Sequence, residues 1–509
     1  MASTEADRQL RPAEEHVDVL IVGGGLSGIG AACHLQRKAP GRSFLIVEAR
    51  EAIGGTWDLF RYPGIRSDSD MYTLGYSFKP WEHPKAIADG PSIRGYISEA
   101  AGENGLHDRI RLRTRAVRAQ WSSERAEWTV ELEGPGGARS IVTCSFLFGC
   151  TGYYRYDEPY TPRFEGVERF GGTVVHPQHW PEDLDYDGKR VVVIGSGATA
   201  VTLVPAMAPA AAHVTMLQRS PSYVLSLPGS DPLAELARRW LPPRAAYSLV
   251  RWKNALMALG LFTLSRRRPG LMRRMLRRAT QRRLPAGYDV DTHFNPTYNP
   301  WDQRMCLVPD GDLFAAISSG AASVATGAID TFTEDGLLLT DGRRLDADIV
   351  ITATGLNLLA LGGIELEVDG RAVQLAGTVG YKGMMLSGVP NFAFAVGYTN
   401  ASWTLKADLV SEYVCRLLGH MRARGYDAVT PVAPDPSQPT RPFLDLNSGY
   451  VQRSTDSFPR QGAVTPWRLN QNYPRDVRLL RHGPLEDAGV RFSRTPRAAA
   501  ERPEQALAA

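Results

Sequence analysis

A chain of 509 residues, 43% apolar and 22% charged, is long enough for roughly two to four domains with sizeable cores. Its net charge of +4 gives no global attraction to nucleic acid. Its five widely spread cysteines contain no C-x-x-C pair, which argues against a disulfide framework or a metal site. A polar N-terminus and the lack of a long apolar run point to a reduced, cytoplasmic setting with no membrane span.

Residues 1–14 read as a disordered N-terminus. A short apolar strand over 17–22 runs straight into Gly23, Gly25 and Gly28, and a helix-prone stretch begins at Ile29. Strand, G-x-G-x-x-G and helix in that order form a dinucleotide site. The first glycine allows the turn, the second lets the backbone approach a pyrophosphate, and the third lets helix and strand pack. The next strand ends in Glu48, an acid at the spacing that accepts hydrogen bonds from an adenosine ribose. Downstream, Gly54, Gly55, Thr56, Trp57, Tyr62, Pro63, Gly64 and Asp68 spell G-G-x-W-x-x-x-x-Y-P-G-x-x-x-D. Residues 107–150 alternate like antiparallel strands about a Gly-Pro-Gly-Gly turn at 134–137. They end in an apolar strand running into Thr151-Gly152, a pattern repeated at 348–355 with Thr354-Gly355.

Between the two repeats lies 170–181, a stretch without helical or strand period that reads as a loop linking two nucleotide sites. Phe170, Gly172, His176, Trp180 and Pro181 in it match F-x-G-x-x-x-H-x-x-x-W-P. A second apolar strand, 190–194, leads into Gly195, Gly197, Thr199 and Ala200, the G-x-G-x-x-A variant. The strand that follows ends in Arg219-Ser220 instead of an acid. A guanidinium there holds a 2′-phosphate that a carboxylate would repel, which favours NADP(H) over NAD(H); the competing reading of Arg219 is a solvated surface charge. Residues 236–290 carry thirteen arginines and one lysine with no acid before Asp289, interleaved with apolar residues at helical spacing. They read as a helical insertion: an amphipathic lid with its arginines in water, or a peripheral membrane contact, with nucleic-acid binding the weakest option. Residues 295–314, rich in proline and aromatics, read as a rigid loop presenting Arg304.

The two long motifs resemble, without a miss, the patterns of type I (class B flavoprotein) Baeyer–Villiger monooxygenases. Residues 300–304, 381–388 and 397–406 narrow the resemblance to the mycobacterial ethionamide-activating branch, and it covers roughly 16–490. It implies an α/β fold with two Rossmann-like domains, binding FAD and NADPH, with the insertion in the NADP domain bordering the substrate entrance. The expected divisions are 15–155 and 340–494 for the FAD domain, 156–235 and 291–339 for the NADP domain, 236–290 for the insertion, and 495–509 for a disordered tail. The resemblance further implies that Thr56, Trp57 and Asp68 lie at the flavin, that Gly355 closes a return strand into the FAD domain, and that Trp403 lies on the nicotinamide side. Arg304 falls where the family keeps its active-site arginine, with Asp68 as the partner that positions it. His176 and Trp180 are expected to couple cofactor binding to domain closure. The implied reaction inserts one atom of dioxygen beside a ketone carbonyl to give an ester or lactone, with oxidation of sulfides or thioamides alongside. One departure stands out: many family members have Lys before that arginine, and here it is Gln303. The alternatives are an N- or S-hydroxylating flavin monooxygenase, a disulfide reductase, which lacks its cysteine pair here, and a non-enzymatic binder using the basic insertion.

Overall fold

The computed structural model describes residues 15–435 and 437–495. The expected disorder of 1–14 and 496–509 lies outside the described residues. Thr495, at the expected start of the tail, is tied down: its backbone N–H donates to the Asp427 carboxylate at 2.8 Å.

Two sheets organise the chain. In the first, the apolar strand Glu15–Val22 lies parallel between Phe44–Val47 and Arg139–Gly149, with Val22 level with both Val47 and Gly149. Buried neighbours on both faces suit a strand of valine, leucine and isoleucine. The alternating residues 115–149 form the expected antiparallel meander, Arg115–Ser122, Glu127–Glu133 and Arg139–Gly149. Trp128, fully buried in it, donates its indole N–H to the carbonyls of Pro390 and Asn391. The helices Leu26–Lys38 and Trp403–Arg424 pack against each other on this sheet.

The second sheet is wholly parallel, in the order Ala322–Thr326, His213–Gln218, Arg190–Ile194, Ile349–Thr352, Thr173–Val175. Three expectations change here. The strand Ile349–Thr352, read as a return into the FAD domain from residue 340, belongs instead to this second sheet. It is apolar on both faces and finds cover only between two neighbours, while Asp348 accepts from the Arg190 backbone N–H at 2.7 Å and pairs with its guanidinium. The chain rejoins the first sheet later, at Glu365–Val368. The stretch 170–181 is not wholly a loop, because the β-branched Thr173–Val175 forms an edge strand. Nor is 295–314 an unbroken loop: Cys306–Pro309 pairs in parallel with Val224–Leu227, and the helix Asp312–Ser318 follows.

The insertion is helical as expected, in three helices, Pro232–Trp240, Pro243–Arg267 and Pro269–Gln281. Each begins on a proline, whose missing N–H costs nothing in a first turn. Its placement differs from the expectation of a lid with all its arginines in water. Ala234, Ala237, Ala246, Tyr247, Val250 and Ala255 enter the core around the first sheet's helices, although the insertion branches from the second unit. Arg251 is buried there. It donates to the carbonyls of Tyr72 and Gly75 and to Asp408 Oδ2 at 2.9 Å, and Asp408 in turn holds His34 and the Ser77 N–H.

Candidate functional site

The first glycine loop is built for close approach. Gly23 has φ +110°, and a Cβ on Gly28 would overlap the Gly23 carbonyl oxygen, so a side chain at Gly28 forces loop and helix apart. Gly25 caps the helix Leu26–Lys38 without any side-chain acceptor, leaving first-turn N–H groups and the positive helix end for an anion. Glu48 is buried beside the loop. Its Oε2 accepts from the Gly24 N–H at 2.6 Å and its Oε1 from the Arg50 N–H at 2.8 Å. A carboxylate accepts more than two hydrogen bonds, so capacity remains for a ribose hydroxyl.

A cavity of about 460 Å³ opens from this loop. Gly23, Gly25, Glu48, Thr56, Trp57 and Asp68 line it on one side, and Arg304 and Trp403 stand in its wall. It reaches Ala198 and Thr199, at the start of the helix that follows the second glycine loop, so both motifs open onto one space. The segment between Gly55 and Asp68 bridges the two units. Leu59, Phe60 and Tyr62 are buried in the core of the second sheet. Burial pushes the Tyr62 phenol up to about 12, with a hydrogen bond to Thr199 pulling the other way.

Arg304 Nη2 lies 2.7 Å from Asp68 Oδ2, and each side chain is 31% exposed, so the pair faces the cavity instead of being sealed from it. The Asp68 charge, partly opposed by desolvation, holds the guanidinium above its ordinary range. Tyr153, Tyr154 and Tyr450 share this neighbourhood, and burial raises all three phenols. They stay protonated and able to donate near neutrality. Trp403 donates its indole N–H to Ser27 Oγ at 2.7 Å and packs on Tyr153. It therefore sits at the first glycine loop, and no contact among the described residues joins it to the second.

At the second loop, Gly195 has φ +145°, and its N–H donates to the Leu217 carbonyl at 2.8 Å. A Cβ on Gly197 would meet nothing within 4 Å, which leaves the helix start open. Arg219 and Ser220 stand exposed beyond it. Ser220 offers its carbonyl to Ser196 Oγ at 3.2 Å, while Arg219 has no carboxylate or hydrogen-bond partner among the described residues. Gly355, at φ +111°, lies just outside the cavity, and its neighbour Leu356 lines it.

Phe170, Gly172, His176 and Trp180 do not line the cavity. Phe170 packs on Phe332, and Gly172 lies so close to the Asp348 carbonyl that no side chain fits. His176 Nδ1 accepts from the Gln178 N–H at 3.1 Å, which puts the neutral ring's proton on Nε2. Burial holds its pKa below the usual imidazole value. Phe170, Gly172 and His176 thus pack on either side of the edge strand Thr173–Val175.

Sequence reasoning missed Asp58. It is buried within the Gly54–Asp68 motif and gathers Arg50 at 2.7 Å, Arg61 at 2.9 Å and Arg94 at 3.4 Å. Burial raises its pKa, but the hydrogen bond and charge of Arg50 and the charge of Arg61 outweigh that and hold it below the usual carboxylate range. The available signal was an acid placed between Trp57 and Leu59 in an otherwise apolar turn. The tyrosines around Arg304 carried no signal, because 153–154 and 450 meet only in the fold.

Residues 69–232 match the flavin-binding monooxygenase-like family, and residues 21–82 match an NAD(P)-binding Rossmann-like domain. The chain is 56% identical to the FAD-containing monooxygenase EthA of Mycobacterium tuberculosis over 95% of its own length and 99% of that protein's. It is 54% identical to EthA of Mycolicibacterium smegmatis, covering 94% and 98%. Among solved structures, it aligns with a steroid monooxygenase bound to NADP at a TM-score of 0.74 and 23% identity, covering 94% of this chain and 99% of that one. It aligns with cyclohexanone monooxygenase at 0.73 and 17%, covering 94% and 100%. The last two establish the two-dinucleotide architecture, and the identity along almost the whole chain establishes descent. This chain belongs to the EthA family of FAD-containing monooxygenases.

Proposed function

We propose that the protein is an FAD-containing, NADPH-dependent Baeyer–Villiger monooxygenase that inserts one oxygen atom of dioxygen beside the carbonyl of a small-molecule ketone, giving an ester or lactone, and that also oxidises sulfides or thioamides. The observation that carries this reading is the Arg304–Asp68 pair set in the wall of a cavity that both glycine motifs open onto.

The residues fit both cofactors. Gly23, Gly25 and Gly28 with the helix start at Leu26 would hold the FAD pyrophosphate, Glu48 its ribose, and Thr56 and Trp57 the neighbouring wall. Gly195, Gly197 and Thr199 would hold the NADPH pyrophosphate, and the unpartnered Arg219 with Ser220 its 2′-phosphate. When bound, these cofactors supply the reducing equivalents and the activated oxygen. Arg304 keeps a fixed positive charge at the cavity through the whole working pH range, because a guanidinium does not deprotonate. Asp68 fixes its direction without neutralising it. A pre-placed cation in a partly desolvated wall stabilises negative charge that develops on oxygen. His176, neutral and turned to the backbone, holds structure and transfers no proton. The alternative, an N- or S-hydroxylating enzyme without ester formation, uses the same cavity.

The test is the visible spectrum of the purified protein, NADPH oxidation across a ketone panel, and mass spectrometry of products, with Arg304→Ala alongside. A yellow protein that makes esters, and a variant that still consumes NADPH but makes far less ester, supports the reading. Oxygenation of sulfur or nitrogen alone moves it to the hydroxylating class, and a colourless protein overturns it.

A further inference from the structure

Fourteen large apolar side chains stand exposed among the described residues, and nine of them fall between Leu233 and Met275, all in the three-helix insertion. Trp240 is 74% exposed, Met257 56% and Met275 51%. Singly scattered apolar residues need no explanation, but a cluster of this kind does. The arginines share the same outward faces. On the helix Pro269–Gln281, Leu271, Arg274, Met275 and Arg278 follow one another at helical spacing, while Met272, Leu276 and Thr280 are buried on the opposite side. On Pro243–Arg267, Leu249 and Leu256 form the outer stripe, and Tyr247, Val250, Arg251 and Asn254 the buried one.

The basic residues differ in their partners: Arg238, Arg273 and Arg274 donate to backbone carbonyls. Arg251, Lys253, Arg266 and Arg277 are each paired with an aspartate. Arg239, Arg244, Arg267, Arg268, Arg278 and Arg282 have no carboxylate partner among the described residues, and residues 236–288 contain no acid. Arg251 thus ties the insertion to the body and Lys253 ties two of its helices together, while the six arginines without a carboxylate partner are all exposed.

We propose that the outer face of the insertion docks on an anionic lipid surface, with Trp240, the leucines and the methionines entering the interface and the free arginines meeting lipid phosphates. A helix with an apolar stripe flanked by arginine lies in a membrane interface in this way. Charge decides between the possible occupants. A second copy of the chain docking through the same patch would set six unpaired arginines against six more, a like-charge contact. Nucleic acid would satisfy the arginines but would leave Trp240, Met257 and Met275 in water. No helix among the described residues is long and apolar enough to cross a membrane, so the attachment is to the surface.

Co-sedimentation of the FAD-loaded protein with phosphatidylglycerol/phosphatidylcholine vesicles, and with phosphatidylcholine vesicles alone, tests this. The expected result is binding to the anionic vesicles that weakens with salt, and little binding to the neutral ones. Each arginine near such a surface is worth about fivefold in affinity. The triple variant Arg267→Gln/Arg268→Gln/Arg278→Gln should therefore bind about a hundredfold more weakly. Trp240→Ser/Met257→Ser should also lose binding with all its arginines present. Both variants should keep their flavin and their turnover of a water-soluble ketone. Equal binding to both vesicle types, undiminished binding by both variants, tighter binding to duplex DNA, or a dimer that the double variant dissolves would each overturn the proposal.

Discussion

Asp68 and Arg304, 236 residues apart in the chain, meet at 2.7 Å in the wall of one cavity. Asp68 closes the motif that follows the first glycine loop, and Arg304 precedes the strand Cys306–Pro309. Their meeting requires both units to be docked, so the pair reports on the assembly of the site as well as on its charge. With both groups partly open to solvent, the value of the pair lies in direction more than in stability.

Arg304→Ala should lower the rate of ester formation by roughly 10²–10³-fold, the usual cost of removing one pre-placed charge-stabilising group. Asp68→Ala should cost less, about tenfold, because the guanidinium stays charged and only its aim is lost. Steady-state rates with product quantification separate the two, and NADPH consumption without product should rise in Arg304→Ala.

Arg219→Ala should raise the KM for NADPH by roughly 30- to 100-fold and leave that for NADH nearly unchanged, since only the 2′-phosphate is lost as a partner. Gln303 in place of lysine leaves no second cation next to Arg304. The KM ratio for the two coenzymes checks this. An equal rise for both would make Arg219 a general surface charge.

Gly28→Ala should yield protein without flavin, because the new methyl overlaps the Gly23 carbonyl oxygen and opens the turn. The ratio of flavin to protein absorbance reads this directly. Gly197→Ala, where a methyl meets nothing within 4 Å, should retain its flavin and serves as the contrast.

Arg251→Met should destabilise the fold by about 3–5 kcal/mol, the cost of removing one member of a buried ion pair. Burial raises the Asp408 pKa, but His34 and Arg251 together hold it below the usual carboxylate value. Such a group contributes stability at pH values above the unfolded aspartate's pKa and loses it as the pH falls through the lower folded value. Without Arg251 the acid limb of a Tm-against-pH profile should move to higher pH. An unchanged limb would show that His34 alone sets it.

The local features of this protein were determined by its sequence. Two strand–glycine–helix units, Glu48, the Arg219 strand end and the long motifs are each set by neighbours a few residues apart, where turn geometry and side-chain period act directly. Family resemblance added Arg304 and Asp68, whose positions no local rule assigns. Tertiary structure alone decided where equally apolar strands belong. The strands ending in Gly149 and Thr352 carry the same pattern and lie in different sheets, because an apolar strand accepts any pair of buried neighbours and only the whole chain's packing selects them. The same holds for Arg251 and Asp58. An arginine in a basic run and an acid in a motif look solvated in sequence; Arg251 becomes a buried anchor because carbonyls and a carboxylate from distant segments converge on it, and Asp58 because the fold buries it among Arg50, Arg61 and Arg94.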